Sequence, residues 1–141
     1  MSFYLDTSLL VAALCSESKA DAAYRWLSAQ PVGSLAISVW SLPEFASALA
    51  IKVRTGQIGL PTVAAIKPVW DEMQRDMLTM LALEDADFAR AATMIATSTV
   101  PLRSGDALHL AVVERTGLAL ASFDLRMSAA AEAFGIVAIS P

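Results

Sequence analysis

Five short apolar runs punctuate the chain, and the stretches between them are long enough for one or two helices each. They lie at residues 2–5 (SFYL), 34–39 (SLAISV), 78–83 (LTMLAL), 118–122 (LALAS) and 136–139 (IVAI). Strands that are short, apolar and separated by helical segments call for a parallel sheet covered on both faces.

The intervening segments carry helix signals. Residues 8–14 predict a first helix. Residues 18–29 place Ala22, Trp26 and Ala29 on one side, and Pro31-Val32-Gly33 ends that run. Residues 41–54 open with Ser41 and Glu44 three positions apart, a capping-box pattern, and close at Thr55-Gly56. Residues 60–77 start with Pro61 near the first turn, and Pro68 inside predicts a kink or break. Residues 84–97 begin with Glu84, Asp85 and Asp87, acids that suit a helix N-terminus. Residues 104–115 and 125–134 follow, with Gly117 and Gly135 after them. The order β-α-α-β-α-α-β-α-α-β-α-β predicts one α/β domain over residues 1–141. It has three layers, α/β/α, around a central, mainly parallel sheet.

Fourteen acids are present, and four stand out by position. Asp6 follows the first strand. Glu44 lies in the first turn of the helix after the second. Asp106 lies in the first turn of the helix in LRSGDALHLA. Asp124 follows LALAS. The carboxyl edge of an open α/β sheet lines its ligand crevice, so one edge gathers all four. Each also has a local explanation. Asp6 and Asp124 suit caps, Glu44 suits the partner of a Ser41 cap, and Asp106 suits a first-turn acid. The local explanations do not account for the recurrence at one edge. Like charges brought together resist joint ionisation, and a hard divalent cation such as Mg²⁺ or Mn²⁺ removes that cost.

Other residues bound the chemistry. His109 is the only histidine and Cys15 the only cysteine, which excludes an internal disulfide and disfavours a histidine- or thiolate-built zinc site. His109 sits in an apolar helical stretch one turn from Asp106, where packing or a hydrogen bond near the site is expected of it. Trp40 and Trp70 read as core or interface anchors, and Met73, Met77 and Met80 as core fillers. Arg103 and Arg126, close to Asp106 and Asp124, are candidates for holding a phosphate. Lys52 and Arg54 complement a helix C-terminus.

Net charge is −4 and the pI about 4.8, which argues against non-specific binding to nucleic acid through a basic surface. The chain is 56% hydrophobic and 17% charged, with a mean hydropathy of +0.56. The longest uncharged stretch, residues 26–43, is broken by Gln30, Pro31, Gly33, four serines and Pro43, so no membrane span is expected. No basic, then apolar, leader opens the sequence, and a cytoplasmic protein is expected. The surplus apolar surface implies a partner that covers it.

FYLDTS, SLPEF, LRSGDALHLA and LASFD, in that order and spacing, resemble the four acidic motifs of PIN-domain ribonucleases, in particular the VapC-type toxins of toxin–antitoxin pairs. The resemblance covers nearly the whole chain. It implies a Mg²⁺- or Mn²⁺-dependent endoribonuclease that leaves 5′-phosphate and 3′-hydroxyl ends. By position, Asp6, Glu44, Asp106 and Asp124 match its metal-site acids. Thr7 and Ser8 match the small hydroxyl residues after the first acid, and Ser122 the hydroxyl two before the last. Some members carry a further acid or Asn after the last Asp; here Leu125, Arg126 and Met127 follow, which weakens the case for a second cation. The resemblance also implies a homodimer and a small antitoxin whose tail lies in an apolar groove. A PIN-like binding module without cleavage is the alternative. A phosphotransfer receiver needs an acid pair at strand one and an Asp after a middle strand, which neither SLAISVW nor LTMLALED provides. A haloacid-dehalogenase-type phosphatase needs Asp-x-Asp where this chain has Asp6-Thr7-Ser8.

Overall fold

The computed structural model describes residues 1–15 and 18–141. Among them, β1 (Phe3–Leu5), β2 (Leu35–Ser38), β3 (Leu78–Leu81), β4 (Ala119–Ala121) and β5 (Ala138–Ile139) form one parallel sheet in the order β3-β2-β1-β4-β5. The helices are α1 (Thr7–Leu14), α2 (Ala20–Ser28), α3 (Ser41–Arg54), α4 (Leu60–Asp76), α5 (Asp85–Thr97), α6 (Ser104–Thr116) and α7 (Leu125–Ala133). This is the expected α/β/α order, element for element.

Alternation along the strands divides the core in two. Phe3 and Leu5 of β1, with Ala119 and Ala121 of β4, pack with Leu9, Leu10, Leu27, Phe45 and Trp70 of α1 to α4. Tyr4 and Leu120, between them, pack with Met94, Leu110, Val113 and Met127 of α5 to α7. Both faces of β1 and β4 are therefore buried, and burying each large apolar side chain contributes about 1.5–3 kcal/mol. The Phe45 and Trp70 rings stack at 4.3 Å between α3 and α4.

Two expectations change. Pro68 does not break α4, which runs unbroken from Leu60 to Asp76. Pro68 and Ala64, whose carbonyl it cannot satisfy, are both exposed residues, where the lost helix bond is cheapest. Met73 is buried, whereas Met77 and Met80 are both 38% exposed. β3 is an edge strand, and its middle residues, Thr79 and Met80, face solvent. Among the described residues, no helix is long and apolar enough to cross a membrane.

The sheet order sets the site. From β1 the chain builds outward to β2 and β3 on one side, then returns to place β4 and β5 on the other. The crevice of such a sheet opens at the carboxyl ends of the strands flanking the switch, here β1 and β4.

Candidate functional site

Asp6 and the Ser122–Asp124 turn leave the sheet side by side at that switch. The Asp6 backbone N–H donates to the Ala121 carbonyl at 3.0 Å. Asp6 occupies the N-cap position of α1, but its side chain makes no capping bond. Its carboxylate turns to the crevice, where Oδ2 accepts from Ser8 Oγ at 2.6 Å and Ser122 Oγ at 2.8 Å. Ser122 Oγ also accepts from the Asp124 N–H at 2.9 Å. Ser8 and Ser122 thus tie the ends of β1 and β4 together around one carboxylate oxygen.

Asp124 does cap. Its Oδ1 accepts from the backbone N–H groups of Arg126 and Met127, at 2.9 and 3.2 Å, at the start of α7. Capping uses one oxygen of an exposed carboxylate and fixes its place at the crevice.

Glu44 is not the capping partner of Ser41. Trp40 is the N-cap of α3 and makes no side-chain capping bond, and the buried Ser41 Oγ has no hydrogen-bond partner among the described residues. Glu44 instead reaches out of its own helix, where its Oε2 accepts from Thr7 Oγ1 at 2.8 Å and is 2.5 Å from His109 Nε2. Burial pushes the Glu44 carboxyl up. The hydrogen bond and charge of His109, with the Thr7 bond, outweigh that and hold it below the usual carboxylate range. The buried Trp40 indole nitrogen adds a weaker attraction without reaching a hydrogen bond.

Asp106 stands in the first turn of α6, half-buried. Burial first, then the facing charges of Asp6, Asp124 and Glu44, push its carboxyl above its ordinary value, with His109 opposing. Four acids from four separate elements therefore share one electrostatic neighbourhood. Arg103 and Arg126 line an open pocket of about 400 Å³ with Asp106 and Asp124. Among the described residues, neither arginine side chain is engaged in an ion pair. Of the residues expected at the site from the sequence, Asp6, Ser8 and Ser122 are joined by hydrogen bonds, Glu44 is paired with Thr7, and Arg103, Asp106, Asp124 and Arg126 line one pocket.

Two features were not legible in the sequence. Gly105 lies against Glu44: a Cβ on it would stand 2.7 Å from Glu44 Oε1 and 3.4 Å from Trp40 Nε1. The glycine beside Asp106 was the available signal. Behind Glu44 runs a buried polar chain from the sheet, with Ser38 Oγ 2.7 Å from Tyr4 Oη and Tyr4 Oη 2.6 Å from His109 Nδ1. Burial raises the Tyr4 phenol to about 12. His109 is fully buried, in keeping with its expected hydrogen-bonding role near the site.

The donor set is all oxygen, partly buried and negatively charged, which fits a small hard cation. Among the described residues no three His, Cys, Asp or Glu side chains form a preformed cage. Mg²⁺ does not require one, because it keeps several of its waters and takes only one or two carboxylates directly.

An α/β protein with an acidic crevice at the switch point of its parallel sheet is the class these features define. The chain belongs to the PIN domain family, whose model matches residues 3–133. It is 29% identical over 143 aligned positions to Ribonuclease VapC35 of Mycobacterium tuberculosis, covering 98% of this chain and 96% of that one. Among solved structures it is similar to Mycobacterium tuberculosis VapC20, described as a toxin that cleaves the sarcin–ricin loop, with a TM-score of 0.74, 20% identity and coverage of 99% and 100%. A toxin–antitoxin complex from Klebsiella pneumoniae aligns with a TM-score of 0.58, 20% identity and 91% of each chain. At these identities the structural likeness is one of fold.

Proposed function

We propose that this chain is a divalent-cation-dependent endoribonuclease, the toxin of a cytoplasmic toxin–antitoxin pair. The observation that supports the reading is geometric: Asp6 and Asp124 leave the paired strands β1 and β4 at the same edge, Asp106 lines one pocket with Asp124, and Glu44 bonds Thr7 next to Asp6. The name of the relative, Ribonuclease VapC35, supports RNA as substrate.

Asp6, Asp106 and Asp124 would hold Mg²⁺ or Mn²⁺, directly or through waters, with Glu44 assisting. Such a cation lowers the pKa of a water and offsets charge on a scissile phosphate. The chain's own residues do the rest. Ser8 and Ser122 hold Asp6 Oδ2 and so fix the direction of its other oxygen. Glu44, kept ionised, would help bind the cation or orient the attacking water. Arg103 and Arg126, at the pocket's rim with Asp106 and Asp124, would receive the phosphates flanking the cleaved bond.

The partner reading has two supports. One is the toxin–antitoxin complex among the similar folds. The other is an apolar groove of about 300 Å³ formed by Trp40, Phe88, Ala91, Ile95 and Leu108 of this chain, with Phe88 54% exposed. It borders Gly105, and through it Glu44, so an antitoxin tail seated there would reach the acids. Homodimerisation would cover further apolar surface.

The test is cleavage of RNA by purified protein with Mg²⁺ or Mn²⁺, with chelator, and with Asp6→Asn. Cleavage that needs the cation, yields 5′-phosphates and falls at least about 100-fold in Asp6→Asn, with the fold retained, is expected. Undiminished cleavage in Asp6→Asn, with contamination excluded, would sink the proposal. No cleavage with either cation would leave a PIN-like binding module.

A further inference from the structure

We infer that His109 is a positioning residue for Glu44, and that Tyr4 and Ser38 hold His109 in place for that task. The inference rests on the ribonuclease reading for its catalytic consequence and on geometry for the rest.

Glu44 sits on α3 and is half-buried. A glutamate side chain has three rotatable bonds, and its helix alone leaves the carboxylate several staggered positions. Two contacts select one of them. Thr7 Oγ1 donates to Oε2 from the first turn of α1 at 2.8 Å. His109 Nε2 meets the same oxygen at 2.5 Å from the core side. An ionised carboxylate only accepts, so Nε2 is the donor. Both contacts fall on Oε2, leaving Oε1 toward Gly105.

The imidazole in turn needs an anchor, since a ring on a helix can rotate about χ2. Its Nδ1 lies 2.6 Å from Tyr4 Oη, and the two share one hydrogen. Tyr4 is wholly buried in β1, two residues before Asp6, and its hydroxyl is also bonded to Ser38 Oγ of β2 at 2.7 Å. The chain Ser38–Tyr4–His109–Glu44 therefore ties the carboxylate to two central strands, one of which leads directly into Asp6. Each residue in it has a bland use as satisfied core polarity. What core satisfaction does not explain is its outlet. A fully buried histidine spends its second nitrogen on a carboxylate at the crevice and not on a backbone carbonyl. Partners one step behind a site's ligands are worth about 10–100-fold in metal affinity or activity.

Four proteins test this: wild type, His109→Leu, His109→Gln and Tyr4→Phe. Gln places an amide N–H near the position of Nε2, and Phe keeps the ring while removing its hydroxyl. His109→Leu is expected to lower kcat/KM for RNA cleavage about 10–100-fold, mainly through kcat, and to weaken Mn²⁺ binding measured without RNA. His109→Gln restores most of both, and Tyr4→Phe falls between. Wild-type rates in His109→Leu overturn the inference. So do equal losses in His109→Leu and His109→Gln that track a fall in melting temperature, because they mark a core residue only. If His109→Leu does not fold, Tyr4→Phe with wild-type rates and Mn²⁺ affinity overturns it. If wild type itself shows no cleavage, the ribonuclease reading fails, and crystal structures of the metal-free variants decide the positioning alone. Glu44 should leave Thr7 in His109→Leu and keep it in His109→Gln; Glu44 unmoved in His109→Leu overturns it.

Discussion

Gly105 leaves Glu44 its place: a methyl on this glycine would stand 2.7 Å from Oε1. The obstructing atom is the end of a side chain rather than backbone, so the fold can accommodate Gly105→Ala by moving the carboxylate. Alanine also improves the start of α6, worth up to about 1 kcal/mol in helix propensity. Gly105→Ala is therefore expected to lower RNA cleavage with little net change in melting temperature, the helix gain offsetting the weakened Thr7 and His109 contacts of Glu44. Equal activity with a wild-type melting curve would show that Glu44 tolerates displacement.

Arg103 and Arg126 face the same pocket as Asp106 and Asp124. Replacing both by Ala should raise KM for RNA and leave Mn²⁺ affinity in place. For each phosphate that an arginine no longer neutralises, the salt dependence of binding to single-stranded RNA should fall by about 0.7 in the log–log slope. An unchanged slope assigns the phosphates to other residues.

Asp106 carries a cost in the metal-free protein. Its folded carboxyl is raised, first by burial and then by Asp6, Asp124 and Glu44. The stability it contributes is present below the ordinary aspartate pKa and is lost as pH rises through the higher folded value. At neutral pH the ionised group is repelled. Asp106→Asn should then raise the melting temperature without cation, by about 2–4 °C for each kcal/mol of repulsion removed. Added Mg²⁺ should stabilise wild type more than the variant. Thermal scans with and without chelator check both.

The opposite sign holds at Asp87. Burial works against its charge, but Arg115 and the Glu84 backbone N–H outweigh that and hold the carboxyl below its usual range. Arg115 reaches Oδ1 and Oδ2 at 2.7 and 2.9 Å, and also the Ala82 carbonyl at 3.0 Å. It thereby clamps the end of α6 to the turn between β3 and α5. This contribution is present above about pH 4, the ordinary aspartate value, and is lost as pH falls through the lower folded one. Asp87→Asn should cost about 1–3 kcal/mol at pH 7 in urea unfolding. The difference from wild type should shrink at pH 3.

The fold was readable because short apolar runs and helix punctuation recur in strict order, and each is a local signal. Asp6 and Asp124 were readable because strands end just before them, and Glu44 and Asp106 because helices start just before them. Glu44 was readable in position but ambiguous in role. Ser41-x-x-Glu44 satisfies a local pattern, and only Thr7 and His109, distant in sequence, draw the carboxylate away. The true reciprocal start lies at α5, where the Glu84 N–H donates to Asp87 Oδ2 at 2.8 Å. Tyr4 is one of three apolar letters in FYL; that it faces α5 to α7 while Phe3 and Leu5 face α1 to α4 depends on how the sheet is covered. The exposure of Met77 and Met80 likewise follows from β3 being the edge strand, which depends on pairing order.

The central place of β1 sets a schedule. β1 is made long before β4, yet Asp6 obtains its Ser122 partner and its bond to Ala121 only when β4 pairs beside it. A nascent chain that has already exposed Asp6 and Glu44 still lacks Asp106, Asp124 and the strand that aligns them. The acidic crevice closes late in synthesis, so a ribosome making this protein carries an unfinished crevice for most of that time.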